Sequence, residues 1–172
     1  MTLTTGHYEQ IQGRPVVRFE RTFPHPVDSV WAALTDPAQL QRWFPTTVQW
    51  SRLRPGAPIS FEFADDRYPA MSGEVTDVQP SRRLAFTWGD DELTFELEPR
   101  ERDSACRLVL SVALDAADKA ARDAAGWDDC LDGLEQVVDG RPAQRPAPSH
   151  RWRSYYEEYQ RLGLPASAPL PE

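Results

Sequence analysis

Seven short runs of the chain alternate hydrophobic with polar residues, the pattern of a β-strand with one buried and one solvent-facing side. Residues that favour turns separate most of the runs. Inside the fourth run, Gly73 marks an expected β-bulge. The pattern predicts a curved antiparallel sheet with one apolar face. The runs are residues 16–23, 46–51, 59–63, 71–78, 84–88, 93–97 and 106–114.

Between the first and second runs, the apolar spacing changes to that of two short helices. Asp36 has the character of an N-cap, and Pro37 stands at the favoured first position of the second helix. Pro45 ends that helix. The apolar positions are Val27, Val30, Trp31 and Leu34 in the first helix and Leu40, Trp43 and Phe44 in the second.

A long helix is predicted over residues 117–139, ending at Gly140, and it has enough apolar width to cover the sheet. On a helical wheel, its polar side is expected to face solvent, while a bulky apolar stripe and a stripe of small residues share the remaining surface. The polar side comprises Asp128, Asp129, Asp132, Glu135 and Gln136, the bulky stripe Trp127, Leu131, Leu134 and Val138, and the small stripe Gly126, Cys130, Gly133 and Val137.

The two glycines of the small stripe each cost the helix about 1 kcal/mol relative to alanine. Glycine lets a helix backbone approach the sheet closely, and it also leaves room for a ligand beside the sheet. The helix alone leaves both explanations open for Gly126 and Gly133.

The chain continues in a proline-rich linker, "RPAQRPAP", and a further helix with Ser149 as N-cap and Gly163 as C-terminal stop. We expect its aromatic stripe to fold back on the same domain or to mediate a homodimer. The predicted organisation is a polar tail (1–13), a main domain (14–140) and a linker with a helical extension (141–172). The stripe consists of Trp152, Tyr155, Tyr156, Tyr159 and Leu162.

Composition narrows the classes of partner. The chain of 172 residues has a formal net charge of -8, and Lys119 is its only lysine. This balance argues against binding to nucleic acid or to an anionic membrane surface. Because the sequence has neither a signal-peptide pattern nor an apolar run near the length of a membrane span, we expect a soluble cytoplasmic protein.

Residues that serve metal binding or nucleophilic catalysis elsewhere are scattered here. Cys106 and Cys130 both fall on apolar faces, which favours reduced packing residues. The histidines, His7, His25 and His150, match no metal-ligand spacing. Nucleotide-binding and serine-hydrolase motifs are missing from the sequence. We therefore predict no metal, no cofactor and no catalytic residues.

Three segments together resemble one family: "FPHPVDSVWAALTDPAQLQRWFP", "AAGWDDCLDGLEQVVDG" and "YYEEYQRLGLP". The most specific features are P-x-x-x-V-W, T-D-P and W-F near the start, and G-W-x-x-C-L-D-x-L in the long helix. They are similar to the START-like (SRPBCC) superfamily, in the branch named after the activator of heat-shock protein 90 ATPase, over about residues 16–164. Relatives often carry a histidine after the G-W pair, where this chain has Asp128, which the wheel places toward solvent.

The resemblance implies an α+β helix-grip (START/Bet v 1-like) fold, with a cavity between the long helix and the concave face of the sheet. Gly126, Cys130 and Gly133 then become candidates for the border of that cavity. Aromatic residues on in-phase positions are candidates for its lining, although any core between a sheet and a helix uses such residues. The aromatic candidates are Trp43, Phe61, Phe63, Trp88, Phe95 and Trp127.

Three charged residues interrupt the apolar phase. Asp123 and Lys119 lie in the first turns of the long helix, and Arg21 is in phase with the apolar positions of the first strand. If Asp123 and Arg21 line the cavity, they can position a carboxylate or carbonyl ligand, and a desolvated Asp123 can act as a base. In the alternative interpretation, Lys119 and Asp123 form an ordinary i,i+4 surface pair and Arg21 reaches water.

Three functions follow as hypotheses. The first is binding of a small apolar or amphiphilic ligand in the helix-grip cavity. The second, suggested by the family name, is a stress-response role in which the protein binds a heat-shock chaperone and stimulates its ATPase. The third is a cyclase or dehydratase acting on an aromatic substrate, which rests on analogy of fold alone.

Overall fold

The computed structural model describes residues 4–143 and 150–170, and its largest element is an eight-stranded antiparallel sheet. The strand order across the sheet is β1-β2-β8-β7-β6-β5-β4-β3. The strands are β1 Gly6–Ile11, β2 Arg14–Phe23, β3 Thr47–Trp50, β4 Pro58–Glu62, β5 Met71–Gln79, β6 Arg83–Trp88, β7 Asp91–Arg100 and β8 Ala105–Ala113. The helices are α1 Val27–Thr35, α2 Pro37–Leu40, α3 Ala120–Val138 and α4 His150–Arg161.

The predicted α+β helix-grip architecture is confirmed. The seven alternating runs are β2 to β8, and the long helix is α3, preceded by a 3-10 turn over Ala117–Lys119. The Asp36 carboxylate accepts a hydrogen bond from the Ala38 N–H at 3.0 Å, so Asp36 is the N-cap of α2 as predicted. The apolar side chains of the sheet's inner face, of α1 and α2, and of α3 form one core.

Residues 6–11, predicted as part of a polar tail, instead form strand β1. It pairs with β2 through a two-residue turn, in which Gln12 and Gly13 have φ of 52° and 80°. Positive φ at both positions is the geometry of the tight hairpin turn that matches strand twist. The segment lacks regular alternation because most of its side chains are exposed on both faces of the sheet, among them His7, Glu9 and Gln10.

The irregularity expected in the fourth run lies two residues later than predicted. The pairing of β5 with β6 shifts register between Val75 and Asp77, not at Gly73. Gly73 serves a close approach, since a Cβ there would stand 2.3 Å from the Thr87 carbonyl oxygen of β6. The bulge therefore lies where the strand has no glycine, and Gly73 does not indicate its position.

Helix α4 folds back on α3 of the same chain, one of the two arrangements expected for its aromatic stripe. Tyr155, Tyr156 and Tyr159 are buried, whereas Leu162 is exposed. Gly140 and Gly163, with φ of 70° and 86°, follow the ends of α3 and α4 as predicted. Most of the proline-rich linker and the predicted N-cap Ser149 lie outside the described residues.

Candidate functional site

Aromatic side chains occupy the space between the sheet and α3. They come from the inner faces of β4, β6 and β7, from the turn after α2, and from α3 itself. Neighbouring ring centroids in this aromatic cluster lie between 4.8 and 6.3 Å apart, largely in edge-on or tilted contacts that favour aromatic pairs. Its members are Trp43, Phe44, Phe61, Phe86, Trp88, Phe95 and Trp127.

A row of four aromatic residues connects this cluster to the surface, and we call it the aromatic row. Tyr68, in the β4–β5 loop, is 42% exposed and lies 5.5 Å from Phe63. Phe63 lies 6.1 Å from Trp88, which lies 6.0 Å from Trp127 of α3. Phe63 and Trp88 are both half-buried. The aromatic row therefore runs from an exposed side chain, Tyr68, to a buried one, Trp127, at an edge of the core.

The two glycines of the small stripe face other elements than the sheet. A Cβ at Gly133 would be 3.3 Å from the Cβ of Trp43, and one at Gly126 would be 3.9 Å from the indole nitrogen of Trp152 in α4. Cys130, between them, is half-buried. The glycines therefore fit α3 against the turn after α2 and against α4, which corrects the expectation that they bring the helix close to the sheet.

Asp123 and Lys119 belong to an ion-pair network at the start of α3. Asp123 accepts a hydrogen bond from Arg122 Nε at 2.7 Å and lies 3.8 Å from Lys119 Nζ. Lys119 contacts Asp91 at 2.7 Å and Asp115 at 2.5 Å. Burial alone would lower the pKa of Lys119, but its hydrogen bonds to Asp115 and Asp91 outweigh burial and raise it. The carboxylate of Asp123 is thus held by Arg122 and Lys119, and the i,i+4 pair of the alternative interpretation is present.

Arg21 contacts two aspartates of α3, and the helical wheel places one of them, Asp128, wrongly toward solvent. Asp128 is fully buried, although its position on the wheel predicts solvent exposure. Arg21 of β2 points at α3, with Nη2 3.0 Å from Asp128 and Nη1 2.7 Å from Asp132. The polar side of α3 is therefore covered at Asp128, where α4 and the segment before β1 pack over it, and Asp129 is buried as well, whereas Glu135 is exposed as predicted.

Asp128 is surrounded by hydrogen-bond donors from three separate segments. Its carboxylate accepts hydrogen bonds from the hydroxyl and backbone N–H of Thr5, from Arg21 and from the Tyr159 hydroxyl. The Tyr159 hydroxyl in turn accepts one from the Gly6 N–H at 2.8 Å. A carboxylate offers about four acceptor sites, so the sites on Asp128 are saturated.

The neighbouring carboxylate of Asp132 is held in the same way. It accepts hydrogen bonds from the Tyr155 hydroxyl at 2.6 Å and from Arg151 at 3.2 Å, besides that from Arg21. We call the whole group the buried polar cluster, and it comprises Thr5, Arg21, Asp128, Asp132, Tyr155 and Tyr159. The carboxylate oxygens of this cluster accept hydrogen bonds from other residues of the protein, so the cluster forms a structural junction between segments of the chain.

Burial and neighbouring charges keep the two tyrosines of this cluster protonated, and the neighbouring aspartates keep its arginine charged. Burial, followed by the negative charge of Asp128, raises the pKa of Tyr159 far above its ordinary value. Burial and the hydrogen bond to Asp132 raise the pKa of Tyr155. For Arg21, burial alone would lower the pKa, but Asp132 and Asp128 outweigh it and raise it. Arginine and both tyrosines remain fixed donors.

An open depression lies on the other side of the sheet. It has a volume of about 310 Å³ and is lined by outward-facing residues of β1, β2, β7 and β8, several of them charged. Glu9, Arg18, Glu92 and Glu96 are among these. Such a lining differs from that of the predicted apolar cavity, whose candidate aromatic residues lie on the inner face.

Two further findings concern residues 4–143 and 150–170. No group of three or more histidine, cysteine or acidic side chains is arranged to hold a metal ion in this part of the chain. None of its helices combines the length and the apolar character needed to cross a membrane.

Comparison with known proteins supports the fold. Residues 24–139 match the family described as activator of Hsp90 ATPase homolog 1-like protein. No curated protein matches the chain significantly.

Several solved structures are similar. EF2215 from Enterococcus faecalis, a conserved protein of unknown function, has a TM-score of 0.71 and 23% identity, with 91% of each chain covered. CalU16 from Micromonospora echinospora has a TM-score of 0.70 and 25% identity over 91% of this chain and 94% of its own. DynU16, from the dynemicin biosynthetic locus, has a TM-score of 0.62 and 27% identity over 75% of this chain and 49% of its own.

Proposed function

Because this chain belongs to the activator of Hsp90 ATPase homolog 1-like family, we propose that it binds a ligand between α3 and the sheet, at the edge of the core where the aromatic row lies. The ligand is a small, flat, apolar or amphiphilic molecule. It enters between the β4–β5 loop and α3 and stacks on the aromatic row. The function is binding, and the proposal assigns no chemical step.

The observation that carries this proposal is the continuity of the aromatic row from the surface to the core. Tyr68 is exposed, Phe63 and Trp88 are half-buried, and Trp127 is buried on α3. Aromatic side chains with free edges give large contact area to a flat ligand at little entropic cost. Rotation of the two half-buried rings opens space for a ligand without moving the strands.

The charges of the site support an uncharged ligand. Arg21 is held by Asp128 and Asp132, and Lys119 by Asp91 and Asp115, so neither cation points into the aromatic cluster. A ligand carrying a full charge would lose its hydration without finding an opposite charge. Among the similar structures, DynU16 comes from the biosynthetic locus of dynemicin, which makes a small-molecule ligand a reasonable class to test.

The test uses the tryptophan side chains as reporters. The chain has six tryptophans, and each indole N–H gives one signal in a ¹H–¹⁵N NMR spectrum. Titration with 2-naphthol is expected to shift the signals of Trp88 and Trp127 and to leave that of Trp152, on α4, in place. Tryptophan-to-phenylalanine variants assign the signals.

Two tyrosine variants provide the matched comparison. Tyr68→Ala shortens the aromatic row at an exposed position and is expected to weaken 2-naphthol binding about fivefold. Tyr8→Ala removes a half-buried tyrosine from β1, at the far end of the sheet, and is expected to leave binding unchanged. Shifts confined to Trp152, or no shifts at all, would contradict the proposal.

A further inference from the structure

Thr46 carries a buried hydroxyl whose hydrogen bonding is incomplete. The residue lies between α2 and β3, and its side chain is fully buried. Among the residues that the structure describes, its Oγ1 atom has no hydrogen-bond partner. Buried side-chain hydroxyls in proteins nearly always have one, so this oxygen calls for a partner from outside the chain.

Thr46 lies just before β3, in a segment whose residues contact the aromatic row. In the β3–β4 pairing, Val48 lies opposite Phe61 and Thr47 opposite Glu62. The pairing ends there, and Thr46 lies in a bend one residue outside the strand. Phe44, two residues before Thr46, has its ring 5.2 Å from that of Trp88 and 5.6 Å from that of Trp127, so the segment that carries the buried Thr46 borders the aromatic row.

We propose that the Thr46 hydroxyl is the polar recognition point of the ligand site, and this proposal rests on the proposed function. A threonine hydroxyl offers one donor and two acceptor sites. Phe44 and Val48, two residues to either side of Thr46, both belong to the apolar core, so the matching group is a neutral oxygen. The ligand class is therefore a flat aromatic molecule that carries a hydroxyl or carbonyl oxygen, such as a phenol or an aromatic ketone.

This assignment makes a specific claim about selectivity. An aromatic hydrocarbon and its hydroxylated analogue stack equally well on the aromatic row, but the analogue alone satisfies the Thr46 hydroxyl. A site that hydrogen-bonds its ligand discriminates against an analogue that lacks the bonding group, because the buried polar atom stays unpaired. The wild-type protein is expected to prefer 2-naphthol over naphthalene.

The experiment measures binding of both probes to two valine variants by the same indole NMR titration. Thr46→Val keeps the shape and removes the hydroxyl, and is expected to weaken 2-naphthol binding about fivefold while leaving naphthalene binding unchanged. Thr47→Val is the matched control, since Thr47 is adjacent and its hydroxyl lies 3.4 Å from the Glu62 carbonyl oxygen. It is expected to change neither affinity.

The outcomes separate the two proposals. If neither probe binds the wild-type protein, the proposed function fails and the role of Thr46 fails with it. If both probes bind but Thr46→Val changes the two affinities equally, or changes neither, the proposed function stands and the recognition role of Thr46 is overturned. Retained naphthalene binding by Thr46→Val shows that the variant is folded with its aromatic site intact.

Discussion

Gly126 and Gly133 lie seven residues apart on one face of α3, but the surroundings of their missing side chains differ. A Cβ at Gly126 would make an ordinary contact of 3.9 Å with Trp152, whereas a Cβ at Gly133 would come within 3.3 Å of Trp43. The first position tolerates a methyl group without adjustment. The second tolerates one only if Trp43, itself fully buried, moves by a few tenths of an ångström.

This difference gives a prediction for two alanine variants. Gly126→Ala is expected to raise the free energy of unfolding by about 1 kcal/mol, because alanine costs less backbone entropy in a helix. Gly133→Ala is expected to gain clearly less, since the contact with Trp43 offsets the helix propensity. Urea denaturation followed by circular dichroism measures both values. Equal stabilisation by the two substitutions would show that Gly133 has no packing role.

Asp128 shows where prediction from a single helix stops. Its position on the wheel is polar, and a polar side of an amphipathic helix ordinarily faces solvent. The partners that bury it come from residues 5, 21 and 159, which no local periodicity connects to position 128. Arg21 is the one position in the sequence that indicates this cluster, because a charged residue in phase with Phe19 and Phe23 requires a buried partner.

The elements differ in how well their sequences specify them. Strands β2 to β8 alternate apolar and polar residues because one face of each packs on the core, so the sequence alone predicts them. Strand β1 is held by its backbone pairing with β2, and most of its side chains are exposed, so its residues show no apolar face. The docking of α4 is recognisable from its aromatic stripe, but the surface that receives it includes Asp128 and Asp132, which the helical wheel places toward solvent.

Helix α4 carries a prediction about alkaline pH. Tyr155 and Tyr159 have raised pKa values in the folded protein, so both keep their protons while the unfolded chain ionises them near pH 10. Their contribution to stability is therefore present below about pH 10 and is lost as the pH rises above it. Each tyrosine adds up to about 1.4 kcal/mol of lost stability per pH unit.

Urea denaturation at pH 9 and pH 11 tests this dependence. The wild-type protein is expected to lose more stability between the two pH values than the Tyr155→Phe/Tyr159→Phe variant, whose side chains do not ionise. The absorbance of tyrosinate reports ionisation directly and should rise together with unfolding. An identical alkaline loss in the wild type and the variant would show that other groups cause it.

On the scale of the whole molecule, the segments before and after the family match contact the same residue within it. The match covers residues 24–139, yet β1 and β2 precede it and α4 follows it. Thr5 and Arg21 approach from the first side and Tyr159 from the other, and all three contact Asp128. The buried polar cluster therefore joins both ends of the described chain to the middle of α3.

Such a junction predicts that one hydroxyl couples two remote segments. The Tyr159 hydroxyl donates to Asp128 and accepts from the Gly6 N–H, so Tyr159→Phe removes both bonds and leaves the buried carboxylate short of a donor. Amide hydrogen exchange is expected to speed up in residues 5–11 and in α4 together, since local opening follows the weakened junction. Strands β6 to β8, which do not contact Tyr159 through hydrogen bonds, should keep their protection.

Tyr156→Phe is the matched control, because Tyr156 lies on the same helix and its hydroxyl contacts the Ala166 carbonyl at 3.3 Å instead of Asp128. It is expected to leave exchange in residues 5–11 unchanged. If Tyr159→Phe accelerates exchange in α4 alone, β1 is held by its pairing with β2, and the junction does not transmit between the two segments. If exchange accelerates uniformly, the cluster instead contributes to global stability, because β1, α4 and the sheet then open as one unit.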